Sequence, residues 1–164
     1  MSIIPVMIET YKFHRDRTLA TLTAIEKEPD PRAVLAWRPA PGRAHIGWQL
    51  MHIGITEEIF ATERLIPKAP GPYHDLWPRF RGGSTPDDDV PTPDVIRKVL
   101  AETREQMLAT VRELDESKLD VVPEPLKERG WTFRAALSII GWHEPHHQGQ
   151  AHITYNLFKA QAKH

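Results

Sequence analysis

Residues 132–158 read TFRAALSIIGWHEPHHQGQAHITYNLF, and the fold of this stretch governs the reading of everything before it. Phe133, Leu137, Ile140, Ala151, Tyr155 and Phe158 recur at helical spacing and make one apolar face. The spacing predicts a helix from near Thr132 to about Phe158. Inside it stands His143-Glu144-Pro145-His146-His147. At about 100° per residue, His143 and His147 lie on or beside the apolar face and aim their rings at one point. A buried imidazole pair needs hydrogen-bond partners and resists protonation, whereas a bound divalent ion uses both rings neutral. Glu144 falls near the middle of the same face, where an unpaired carboxylate is costly, and is expected to support a ligand or act as general base. His146 projects about 100° from His147 and reads as exposed or as a supporting group. Proline at 145 removes one helical hydrogen bond and crowds the carbonyl of Gly141, so a kink is expected from Gly141 to Pro145.

The run also matches H-E-x-x-H, the zinc-protease helix pattern. The longer form of that pattern needs a histidine six residues past the second one, and Ile153 stands there. No sheet is foreseen for a peptide substrate to join, and a proline interrupts the motif. The protease reading is set aside.

Working back from this helix, three others emerge. Helix one begins at Ile4, carries Ile8, Tyr11, Thr18, Leu22 and Ile25 on one face, and ends before Glu28-Pro29-Asp30-Pro31. The stretch Pro29 to Pro41 reads as a loop. Helix two, roughly Arg43 to Leu65, is apolar around most of its circumference and is expected to be central or to meet a partner subunit. A linker from Pro67 to Pro91 holds six prolines and is long enough to run the length of a bundle, so that helices two and three could lie parallel. Helix three starts with Thr92 as N-cap, Pro93 in the first turn and Asp94 complementing the dipole, and continues through Leu114. A short extended piece, Leu119 to Val122, precedes Pro123-Glu124-Pro125. The expected fold is all-α, a single domain over residues 1–164, formed as a four-helix bundle with a long crossover between helices two and three.

Composition narrows the partners. Twenty-one basic against twenty-two acidic side chains leave a formal net charge of -1, which gives no field to draw nucleic acid or an anionic membrane. No run is long and apolar enough to span a bilayer, and the opening MSIIPVMIETYKFHRDR is unlike a signal peptide, so a cytoplasmic location is expected. With no cysteine, any metal site draws on His, Asp or Glu.

If the last helix supplies two nitrogens, a third comes from elsewhere, and helix two offers His45 and His52 on one line with Ile59. His52 lies deeper and is flanked by Trp48 and Ile55; His45, in the first turn, could line a pocket mouth. Arg15 falls on helix one's apolar face, and Glu57 is expected to pair with it. His74, Asp75 and Trp77 read as surface loop, Asp87 to Asp89 as a solvated acidic turn, and Trp48 and Trp142 as packing.

At this point a family resemblance enters. Ile46-Gly47-Trp48-Gln49-Leu50-Met51-His52-Ile53, followed by Glu57-Glu58, and the later His143-Glu144-Pro145-His146-His147-Gln148-Gly149-Gln150 resemble the two signature segments of the DinB-like superfamily. Tyr11-Lys12-Phe13-His14-Arg15-Asp16-Arg17-Thr18-Leu19 is similar too. The resemblance implies metal-dependent four-helix-bundle enzymes with frequent homodimers, and it matches His52, His143 and His147 to the three metal ligands. It also implies that some relatives transfer low-molecular-weight thiols to electrophiles, and it implies no DNA contact. Three histidines without a carboxylate suit zinc or nickel, with copper or iron as alternatives, and suit calcium and magnesium poorly. The expected function is activation of a small thiol or of water as nucleophile against a small-molecule substrate, in a thiol-transferase-like or hydrolase-like reaction, with Glu144 or His146 handling the proton. The alternative is a non-catalytic metal-binding or stress-response bundle.

Overall fold

The structure is a computed structural model and describes residues 2–161. Among these residues every regular element is helical: α1 (Ile3–Ile25), α2 (Pro31–Ala36), α3 (Ile46–Ile59), α4 (Trp77–Phe80), α5 (Pro93–Arg112) and α6 (Phe133–Gln161). A π-helical turn, Phe60–Arg64, extends α3, so that helix closes close to the expected Leu65. As expected, Thr92 caps α5, accepting from the Val95 N–H at 3.5 Å with Pro93 in the first turn.

The four long helices pack so that α6 lies between α1 and α3, and α5 touches both α3 and α1. Contacts give their directions. A Cβ on Gly54 would meet Val99 Cγ1 at 2.9 Å, and further along both helices the Thr110 hydroxyl reaches the Ala61 carbonyl, so α3 and α5 run in the same direction. Likewise Tyr11 bonds the Leu137 carbonyl and Tyr155 the Ala24 carbonyl, which makes α1 and α6 parallel. Gln49 faces Gln150 while His52 faces His143, so α3 and α6 are antiparallel. Parallel neighbours need a connection that travels the length of the helices, which is the work of residues 65–92.

Two apolar clusters fill the interior. One gathers Leu22, Leu50, Ile53, Leu100 and Tyr155; the other gathers Ile8, Tyr11, Phe60, Met107 and Ile140. Between them lies a cluster of four buried charged residues, one from each long helix: Arg15 from α1, Glu57 from α3, Arg104 from α5 and Glu144 from α6; Glu58, also buried on α3, turns to Tyr73 and Trp77 instead. Arg15 bonds Glu144 through Nε at 2.7 Å and Glu57 through Nη2 at 2.8 Å. Arg104 contacts Glu57 at 2.5 Å and pairs with Glu144 as well. The pairing of Glu57 with Arg15 is the one its spacing predicts.

The loops hold more order than the sequence suggests. The stretch from Pro29 to Pro41 contains α2, with the Asp30 side chain accepting from the Ala33 N–H at 3.0 Å. The crossover is not structureless: a 3-10 turn, His74–Leu76, runs into α4, which buries Trp77 and Phe80. His74 and Asp75 are exposed as expected; Trp77 is not, and its indole donates to Glu58 at 2.6 Å. Asp87 forms a two-point ion pair with Arg79, at 2.8 and 2.9 Å, where a solvated acidic turn was expected. The expected extended piece at 119–122 is a turn following a 3-10 element. Helix α6 continues through Pro145 without interruption.

Candidate metal centre

His52 sits two turns into α3, and His143 and His147 sit one turn apart on α6. Because α3 and α6 are antiparallel neighbours, the three rings meet. One nitrogen from each lies within 4.8 Å of the other two. Ring centroids are 4.8 Å apart for His52 and His143, 4.5 Å for His52 and His147, and 4.5 Å for His143 and His147. His143 Nε2 and His52 Nε2 approach to 3.1 Å.

The outer nitrogens decide what the inner ones can do. His52 Nδ1 meets the Phe80 carbonyl at 2.6 Å; a carbonyl only accepts, so Nδ1 carries the proton and Nε2 presents its lone pair inward. His147 Nδ1 meets Gln49 Oε1 at 2.5 Å with the same consequence. The Gln49 amide then donates to Gln150 Oε1 at 2.9 Å, and Gln150 Nε2 donates to His146 Nε2 at 2.7 Å. Every donor in this chain faces an acceptor, so its polarity is fixed from His147 outward to the exposed His146. Trp48 stacks on His52 at 4.6 Å and 14°, its indole N–H held by the Arg79 carbonyl at 3.0 Å.

All three rings are kept neutral. Burial, followed by the neighbouring imidazoles, pushes His143 down to about 2 and His147 down to about 3. Burial also lowers His52, against the opposing pull of the Phe80 carbonyl. Neutral imidazoles, two of them with lone pairs held inward by backbone or amide partners on their outer nitrogens, are the donor set that a borderline-soft divalent ion takes. The residues therefore fit a metal ion.

Of the other anticipated residues, Glu144 is placed differently. It leaves the apolar face toward α1 and α5, where its oxygens are taken by Arg15, Arg104 and the Thr18 hydroxyl at 2.8 Å. With both carboxylate oxygens engaged by α1 and α5, the general-base assignment loses its geometric ground. His146 is exposed and stacks on Trp142 at 4.4 Å. His45 is the N-cap of α3: its Nδ1 accepts from the Trp48 N–H and its Nε2 bonds the Asp87 carbonyl, each at 3.0 Å.

Sequence reasoning missed the supports. Gln49 lies three residues before His52 and Gln150 three after His147, so helical spacing could have found both. The Phe80 carbonyl has no sequence signature. A cavity of about 360 Å³ opens beside the centre, with His52 and His143 in its wall together with Phe60, Trp77 and Trp131.

Among known proteins, the family model described as DinB superfamily matches residues 10–151. No curated protein and no solved structure matches the chain.

Proposed function

The chain belongs to the DinB superfamily, and on that premise we propose that it is a metal-dependent enzyme whose His52, His143 and His147 hold one divalent transition-metal ion, zinc or nickel, beside a pocket for a small-molecule substrate. The direction of the hydrogen bonds behind the rings carries this reading. Phe80 and Gln49 take the protons of the outer nitrogens and leave lone pairs facing inward. Bound there, such an ion lowers the pKa of a small thiol or of water and so supplies an anionic nucleophile at neutral pH.

The chain's own residues do the positioning. Trp48 and the Phe80 carbonyl fix the plane of His52, and Gln49 fixes His147. His146 is exposed and joined to His147 through Gln150 and Gln49, a chain of amides that orients the ring without carrying a proton. Glu144 is committed to the arginines and serves the scaffold.

The test is metal analysis of protein purified without a histidine tag, before and after titration with zinc or nickel. One ion per chain is expected, lost together with thiol-transfer or hydrolytic turnover in the His52→Ala/His147→Ala double variant. Absence of stoichiometric metal in the wild-type protein overturns the reading. A non-catalytic metal-binding role predicts the same loading without turnover on panels of electrophiles and esters.

A further inference from the structure

The cavity beside the histidines has an uneven wall. Three guanidiniums reach it from segments distant in sequence: Arg64 from the π-helical turn after α3, Arg81 from the residue after α4, and Arg129 from the 3-10 turn Glu124–Arg129. Arg15, Arg38, Arg79, Arg97, Arg104 and Arg134 all lie within ion-pair distance of a carboxylate. Among the described residues, Arg64, Arg81 and Arg129 have no such partner; Arg17, Arg32, Arg43 and Arg112 have none either, but none of those four lines this cavity. One carboxylate, Glu63, shares the lining; it makes no ion pair with them and is exposed.

Two of the three are shaped for recognition. Arg64 lies over the Phe60 ring at 4.7 Å and Arg129 over the Trp131 ring at 4.9 Å. Stacking covers a guanidinium's face and leaves its N–H edge free for a planar two-oxygen acceptor. Gly130, with φ +62°, turns the chain between Arg129 and Trp131 and lets both line the cavity. The rest of the wall is Ile59, Trp77 and Ile139, with Thr56 and Gly82. The charges crowd one another as well: after burial, Arg129 is the next cause holding Arg64 below its ordinary value, ahead of the opposing pull of Glu63. Three cations gathered against a single carboxylate, Glu63, beside apolar walls leave an excess of positive charge complementary to an anion with an apolar body.

We propose that the substrate of this pocket is a compact organic carboxylate with an apolar or aromatic body, its carboxylate held by Arg64, Arg81 and Arg129 and its body lying between the aromatic walls toward His52 and His143. The assignment rests on the reading of this cavity as the substrate pocket. A cavity of about 360 Å³ suits a ligand of one or two rings.

Calorimetric titration of the metal-loaded protein with 1-naphthoate and with 1-naphthylmethanol tests it. At least tenfold tighter binding of the carboxylate is expected, shrinking below threefold in an Arg64→Gln/Arg129→Gln variant whose metal content and helical circular dichroism are unchanged. Arg81→Gln gives a second measurement if the double variant does not fold. Equal affinity for the two probes, or a preference that survives these substitutions, overturns the proposal. Repeating the titration on chelator-stripped protein separates it from the metal reading: an arginine-dependent preference without metal keeps the anion site whatever the outcome of the metal analysis. A preference that vanishes only with the metal assigns the carboxylate to the ion and overturns the site. N-acetylcysteine against its amide forms the last arm, and an arginine-dependent preference confined to that pair places the anion on the thiol and overturns its assignment to the substrate.

Discussion

The His147 ring is held from behind by Gln49, and that one bond sets both its tautomer and its angle. Leucine keeps the bulk of Gln49 and removes the acceptor. Gln49→Leu is expected to weaken zinc binding 10- to 100-fold in competition with a chromophoric chelator while keeping one ion per chain; unchanged affinity would show that the bond orients nothing. His45 carries a different dependence. Burial holds its pKa below the ordinary value of 6.5, so the unfolded chain binds a proton below that pH which the folded chain refuses. Its contribution to stability is complete above about pH 6.5 and is lost as pH falls beneath that value. His45→Asn retains a capping oxygen and removes the titration. The drop in unfolding midpoint between about pH 7.5 and pH 5.5 should therefore be smaller in this variant than in the wild type, the other histidines contributing equally to both.

At the level of the helix, α6 keeps its course through Pro145 although the Gly141 carbonyl lacks its usual N–H partner there. Pro145→Ala restores that donor at a position already helical, and we expect it to stabilise the fold by about 1–3 kcal/mol, or roughly 3–10 °C in Tm, with metal stoichiometry unchanged. A fall in Tm would mean that the proline relieves a strain which alanine restores. This helix also marks how far the sequence could be read. His143 and His147 are legible because four residues make one turn whatever the helix packs against. The orientation of Glu144 is not, because a helical wheel gives a face and says nothing of its neighbours. Arg15 on the apolar face of α1 was the available clue, and the second guanidinium, Arg104, went unnoticed. Short elements such as α2 and α4 lie below the length at which periodicity speaks, and a backbone carbonyl like that of Phe80 has no side chain to announce it.

Across the whole molecule, Arg15, Glu57, Arg104 and Glu144 form a charged layer that divides the interior into two apolar halves, one residue from each long helix. Such a layer adds little net stability against a well-packed apolar replacement, yet breaking it strands a charge. Glu144→Ala leaves two guanidiniums against one carboxylate and is expected to cost about 3–5 kcal/mol in denaturant titration, with metal binding retained in the folded fraction. Loss of metal without loss of stability would return Glu144 to the centre. The long connection between α3 and α5 has a further role beyond spanning the bundle. It delivers the Phe80 carbonyl to His52, and the Arg79 carbonyl, accepting from the Trp48 indole, braces the ring stacked on that histidine. The segment is thus a hasp rather than a tether. A single proteolytic nick between Arg81 and Val90 would leave the helices packed while freeing one ligand ring to swing, so the grip on the ion would report whether the strap is whole.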